Sequence, residues 1–441
     1  MKISGTSILI LCLLISGCSK DDNEPRFSGE ITWAKTFGGS EDDVAIAVIE
    51  AKDNSYMVLG TTSSIDGDVT DKTTVENDFW LIKMDSEGHI IWSKTYGGSD
   101  DDIAQSLIQT SDGGYAIAGY SRSSDGDASN NEGFHDQWLL KLDAQGNLQW
   151  ENSFGFAGHD HAYDLLQTAD GGFLLSGFMD VTASGGEGNY GKSAGALHGV
   201  GEFWAVKTDA SGNMQWSRYF GGTNNDRSYS VVQANDGGFI LTGFAESTDF
   251  NISNSKGSYD FWVIKITAAG DLVWEKSFGG SEIEESYSIA VTADDNYIIV
   301  GQSYSIDKDV TEPLGNSDAW VIKIDDDGNL LWNKNYGGPD FDVAKSIMPA
   351  HDGGFIISGN TRSATGDVSE NFGENDIWVF KIDASGKLQW ERSLGGTGMD
   401  FGLDAMETSD GKVIVAGETD STDQHITENK GKKDILVVKL Q

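Results

Sequence analysis

Cysteine is almost absent from this chain. Of 441 residues only Cys12 and Cys18 carry a thiol, and both lie in the first 18 positions. No disulfide framework can hold the body of the chain, so a large apolar core must do so. Basic residues are scarce as well: 30 Lys and Arg stand against 70 Asp and Glu, a formal net charge of −40. That balance argues against nucleic acid and anionic membrane surfaces as partners, because both need basic patches. The apolar run Ile8 to Ile15 is too short to cross a bilayer. No segment sustains a helical period of apolar residues. Catalytic signatures are missing too: there is no Gly-x-Ser-x-Gly elbow, no His-Glu-x-x-His and no nucleophilic cysteine. Carboxylates are so numerous that no one pair of them is informative.

What the chain has is a repeat. The segment 331–388 recurs, with near-copies starting at Ile91, Gln149, Gln215, Val273, Leu331 and Gln389, and another near Ile31. The period is about 58 residues, which means stacked or radial repetition of one unit. Four strands are legible in each unit. In residues 91–148 they are DIAQSLIQT, YAIAGYS and DQWLLKLD, followed by LQWENSF. Asp112-Gly113-Gly114 marks a hairpin between the first two, and Gln145-Gly146-Asn147 a turn between the last two. Four antiparallel strands per repeat, arranged radially, predict an all-β, seven-bladed propeller with strands A to D in each blade. The seventh unit has strands A, B and C and no D, whereas Glu30 to Phe37 reads as a D strand with nothing before it. The N-terminal strand is therefore expected to close the last blade.

The thirteen tryptophans sit at two registers: Trp33, Trp92, Trp150, Trp216, Trp274, Trp332 and Trp390 in strand D, and Trp80, Trp138, Trp204, Trp262, Trp320 and Trp378 in strand C. Such regularity reads as packing between blades. Small residues at one register of strand A (Ala45, Ala104, Ala162, Ser228, Ser286, Ala344, Gly402) place that strand innermost. Alternation then puts the D–A and B–C connections on one face, the top. The B–C loops are long and differ from blade to blade, so the top is the candidate binding face.

Three constellations fall there. An acidic residue opens every strand A: Asp43, Asp102, Asp160, Asp226, Glu284, Asp342 and Asp400. Its sevenfold recurrence favours caps on the adjacent glycine loops over a cation-binding ring. Acidic B–C loops carry Asp66 and Asp68, Asp125 and Asp127, and Asp307 and Asp309, at a spacing compatible with Ca²⁺ or with Asx turns. Blade three breaks the repeat. It carries His159-Asp160-His161, a B–C loop eight residues longer than usual with Tyr190 and His198, and a neighbour, His135, at the top of blade two's strand C. His135, His159, His161, Tyr190 and His198 are the candidate ligand-binding residues, and His159, His161 and His198 a candidate Zn²⁺ or Cu²⁺ set.

Motif resemblances add context. Ile15-Ser16-Gly17-Cys18 resembles a bacterial lipobox, which implies cleavage before Cys18 and its lipidation. Ser19-Lys20-Asp21-Asp22-Asn23-Glu24 resembles the Lys-then-acidic signal of surface-exposed Gram-negative lipoproteins; a plain tether is the alternative. The expected organisation is a signal peptide over 1–17, a lipidated tether over 18–29 and the propeller over 30–441. The unit W-x-K-x-[FY]-G-G … D-G-G-[FY] … D-x-W-V-x-K resembles repeats of secreted and surface bacterial β-propellers, including delta-60-like repeat proteins; these share no activity that transfers. Residues 382–390 are also similar to the tryptophan-docking motif of quinone-dependent eight-bladed propellers, but no cofactor residues match and the chain cannot form a vicinal disulfide. These readings together predict an outer-membrane lipoprotein, exposed at the cell surface and attached to the membrane through Cys18. It would act as a binding module for a glycan or protein, as a monomer or within a surface complex, with calcium as its one candidate cofactor. The alternatives are a metal-dependent enzyme with its site on blades two and three, and a structural subunit of an outer-membrane assembly.

Overall fold

The computed structural model describes residues 27–192 and 198–441; the signal and lipidation motifs lie outside the described residues. Among the described residues, 28 strands form seven four-stranded antiparallel sheets. Blade one comprises Asp43–Glu50, Tyr56–Thr62, Asp78–Met84 and Ile90–Tyr96 as strands A to D. The next five blades repeat this order. Blade three adds a single helical turn, Val181–Ser184, capped by Asp180, whose carboxylate accepts from the Ala183 N–H.

Blade seven closes the ring. Its sheet contains Asp400–Glu407, Val413–Thr419 and Asp434–Leu440, with Ile31–Phe37 as the outer strand. Trp33 lies opposite Lys439 and Phe37 opposite Ile435. Strand D of every blade but the sixth presents its tryptophan to a left-handed glycine in the next blade's C–D turn: Trp33 to Gly88, Trp92 to Gly146, Trp216 to Gly270. A side chain at that glycine would run into the indole ring. The indole N–H groups of Trp33, Trp216 and Trp274 donate to carbonyls of those turns at 3.0–3.2 Å. Blade seven's own C–D turn is split between the two ends of the described chain. There Ser28 N–H donates to the Gln441 carbonyl, Gln441 N–H donates to Glu30, and Phe27 stacks on Trp390 at 4.2 Å. The first described residues thus enter the ring on the face of the A–B and C–D turns.

The core lies between successive sheets. Trp80, Trp138, Trp204, Trp262, Trp320 and Trp378 of strand C are fully buried, and strands B and C are buried nearly end to end. The lysine near the end of every strand C, from Lys83 to Lys439, pairs with the aspartate of an A–B hairpin at 2.7–3.2 Å, as in Lys141–Asp112, Lys207–Asp170 and Lys323–Asp294.

Strand A is innermost, and every copy is bulged one turn below its acidic residue, as between Ala45 and Ala47 or Ala162 and Asp164. The bulge turns Ile46, Gln105, Tyr163, Tyr229, Tyr287, Lys345 and Leu403 into the channel, where a cavity of about 430 Å³ extends toward the A–B hairpins. Tyr163, Tyr229 and Tyr287 touch in series, and Lys345 lies over the Tyr287 ring. One residue below, Asp164 accepts from Ser106 of blade two and from Ser230 and the Val231 N–H of blade four. Asp404 joins blades six, seven and one in the same way, through Ser346, Ala405 and Val48.

Candidate functional site

The acidic residue opening each strand A is a cap. Asp43, Asp102, Asp160, Asp226, Glu284, Asp342 and Asp400 each accept a backbone N–H four residues upstream, at 2.6–2.9 Å. Hydroxyls at the end of strand B, such as Thr62, Ser121 and Thr361, donate to the same carboxylates. These groups are buried against the neighbouring sheet and do not form the channel wall. Each faces the acidic residue that opens strand C of the preceding blade. Both Asp376 and Asp400 close on Gly395, where a Cβ would collide with either carboxylate, and Asp78 and Asp102 close on Gly97 in the same way. Burial pushes Asp78 and Asp376 up to about 7 and Asp318 and Asp260 up to about 6, and the facing carboxylate adds to each rise.

The candidate calcium residues staple loops. Asp66, Asp125 and Asp307 accept from the N–H groups of Ser40, Ser99 and Ser281, and Asp68, Asp127 and Asp309 from Gly38, Gly97 and Gly279. Each pair ties its B–C loop to the D–A loop beside it, through bonds that span 26–30 residues rather than through local Asx turns.

The histidines divide into two places. His135 and His159 meet across the junction of blades two and three, where they form an isolated parallel bridge. The same bridge recurs between other blades, with Asp42 and Lys433, Tyr259 and Ile283, Ser317 and Phe341, or Asn375 and Met399. The repeat therefore brings the two positions together, and only this junction fills both with imidazoles. His161 lies on the same side of strand A as His159, while Asp160 points away into its cap. His135 Nδ1 stands 2.9 Å from His159 Nδ1 and 3.2 Å from His161 Nε2. The His161 ring is stacked on Tyr120 at 3.7 Å, and Phe134 packs on both His135 and His159. Burial, with the neighbouring imidazoles, holds His135 down to about 4 and His161 down to about 2. Both rings are thus neutral at physiological pH.

His198 belongs elsewhere. It hydrogen-bonds Glu202 at 3.2 Å and stacks on Phe250 of blade four at 4.5 Å, at the junction of blades three and four. The candidate set of His159, His161 and His198 is thus not one cluster. His135 stands beside His159 and His161 instead, and His198 lies at the next junction.

Tyr190 is 60% exposed and sits at the rim of the junction of blades two and three. With Phe156, Asn130, Glu132 and Met214 it lines a groove of about 420 Å³ between the B–C loops of blades two and three. Phe134 is 46% exposed beside the histidines. Two of the chain's scarce cations also lie in this sector: Arg122 covers the Phe134 ring at 4.6 Å, and Arg227 covers Phe178 at 4.4 Å. Sequence reasoning missed Tyr120, Phe134, Phe178, Arg122 and Arg227. For Tyr120, Phe178 and Arg227 the signal is the departure of blades two to four from the residues that other blades carry at the tops of strands A and B.

No known protein family matches the chain. It is 23% identical over 406 residues to regulatory protein FlaEY of Caulobacter vibrioides, an alignment covering 83% of this chain and 42% of that protein. The chain thus spans less than half the length of that relative. Among solved structures it superposes on a chain of the mitotic checkpoint complex with a TM-score of 0.50 and 11% identity, over 99% of both chains. BamB from Moraxella catarrhalis gives a TM-score of 0.42 and 11% identity, over 91% of this chain and 99% of that one. The likeness to the solved structures is one of fold alone.

Proposed function

We propose that this protein is a non-catalytic binding module, anchored by a lipid on Cys18 at the outer surface of a bacterial outer membrane. Its ligand is a glycan or a protein, taken on the D–A/B–C face at blades two and three. The observation that carries this reading is the sector around Phe134, His135, His159, Phe156 and Tyr190. It gathers exposed aromatic and imidazole surface and two arginines on a strongly acidic protein. Aromatic rings of this kind stack on sugar faces and anchor protein interfaces.

The path of the chain supports the orientation. Phe27 joins the ring on the A–B/C–D face, opposite the recognition sector. The eight residues from Ser19 to Arg26 reach at most about 28 Å. A lipid on Cys18 would hold the A–B/C–D face toward the membrane and present the recognition sector outward. The relative's description as a regulatory protein agrees with a binding role.

The test is a binding panel of purified glycans and cell-surface proteins against the immobilised protein. Binders are then measured on Phe134→Ala with Tyr190→Ala, and on His351→Ala on the opposite face. We expect the double substitution to weaken binding by about 30-fold or more. Unchanged affinity in that variant, with loss in His351→Ala, would move the site to the other face.

A further inference from the structure

We infer that His135, His159 and His161 form a binding site for one divalent transition metal ion, Zn²⁺ or Cu²⁺, with its fourth position open to the top face. The argument rests on their placement and stands apart from the recognition reading above.

Three imidazole nitrogens converge at this junction. The separations of 2.9 and 3.2 Å bracket His135 Nδ1, and all three ligand atoms lie within 4.8 Å of one another. Imidazole nitrogens around a tetrahedral Zn²⁺, at about 2.0–2.1 Å from the metal, stand about 3.4 Å apart. The two separations at His135 Nδ1 therefore need to open by only a few tenths of an ångström to match that spacing. Without a metal, the three nitrogens share at most two N–H···N contacts among themselves.

The repeat does not demand histidine here. The bridge that joins His135 and His159 holds its geometry in other blades with aspartate and lysine, serine and phenylalanine, or asparagine and methionine. The third ring is fixed by its surroundings. His161 is clamped on Tyr120, and its Nδ1 lies 3.5 Å from the Tyr163 hydroxyl, an outer partner that orients a ligating imidazole. His159 is exposed, so one side of the cluster faces water and leaves room for a solvent molecule or a ligand donor. A donor set of three imidazoles suits Zn²⁺ and Cu²⁺ and is a poor match for Ca²⁺ or Mg²⁺. The net charge of −40 draws cations to the molecule, while Arg122 and Arg227 favour an anionic or neutral fourth ligand over a second cation.

A second cluster, Asp85, Glu87 and His89, is the natural control. It lies on the exposed C–D turn of blade one, and Asp85 already accepts from the backbone N–H groups of Glu87 and His89.

The experiment is metal titration of the purified protein with Zn²⁺ and Co²⁺, followed by elemental analysis after dialysis. Wild type should retain one Zn²⁺ per chain. Co²⁺ should give the intense visible absorption of a four-coordinate site. His159→Ala, at an exposed position that leaves the fold intact, should weaken Zn²⁺ binding by at least about 100-fold, and His135→Ala should do the same. His89→Ala should leave it unchanged, and the thermal melts of all three variants without metal should match wild type. Absence of stoichiometric Zn²⁺, binding that survives His159→Ala, or binding lost in His89→Ala would each overturn the inference. Because Phe134 packs on His135 and His159, ligand recognition is read separately, on Phe134→Ala with Tyr190→Ala.

Discussion

The facing carboxyl groups at the blade junctions make stability depend on pH in an unusual direction. Asp376 is the clearest case. It is fully buried, one of its oxygens has no hydrogen-bond partner among the described residues, and it faces Asp400 across Gly395. Burial, with Asp400 adding to it, raises it from 3.8 to about 7. A carboxyl with a raised folded-state pKa stabilises the fold fully below its unfolded value and loses that contribution as pH rises through the folded value. The window here runs from about pH 4 to about pH 7. The full shift corresponds to about 4 kcal/mol, and solvent screening near the loop reduces this to about 2–3. Asp376→Asn removes the ionisation and keeps an oxygen to accept the Phe372 N–H that Asp376 now binds. We expect the variant to equal or fall below wild type at pH 4.5, and to exceed it by about 2 kcal/mol at pH 8. Urea unfolding at several pH values reads this directly. A wild-type stability that is flat or rising from pH 5 to pH 8, or an Asn variant with the same slope as wild type, would refute the reasoning.

Three further outcomes follow from the fold. Trp33→Ala should lower the stability of the whole ring by about 2–4 kcal/mol in a single transition, because the N-terminal strand belongs to blade seven. Two separate transitions in calorimetry would argue against that closure. Asp404→Ala should cost about 2–4 kcal/mol by stranding the Val48 N–H and the Ser346 hydroxyl, whereas Asp404→Ser, the residue that Ser106, Ser230 and Ser346 supply in other blades, should recover part of it in urea melts. Cys18→Ala should release the protein from the membrane fraction and remove any acyl mass from its N-terminus; retention in membranes would count against the anchor.

The ring was legible because the repeat carries its own punctuation. Asp112-Gly113-Gly114 and Gln145-Gly146-Asn147 bound strands at the positions observed, and the paired halves at Ile31–Phe37 and Asp434–Leu440 announced the closure. The caps by Asp43 and its equivalents followed from recurrence alone. Strict alternation failed at the strand A bulges, so the channel layer of Tyr163, Tyr229, Tyr287 and Lys345 could not be assigned from period-two logic. The acid that opens strand C escaped notice because its partner lies 24 residues on, in another blade, as Asp376 does from Asp400. The same separation hid the contact of His135 with His159, which only the inter-blade bridge creates. The place of His198 is illegible for the opposite reason: membership of a long loop says little about which junction the loop's end reaches.

The most direct measurement of the recognition claim is a hydrogen-exchange footprint of the protein with the strongest binder from the panel. We expect protection concentrated at residues 130–136, 156–161 and 186–192, with the A–B hairpins unchanged. Protection confined to the A–B hairpins and C–D turns would contradict the account and place the binding surface on the side from which the chain enters.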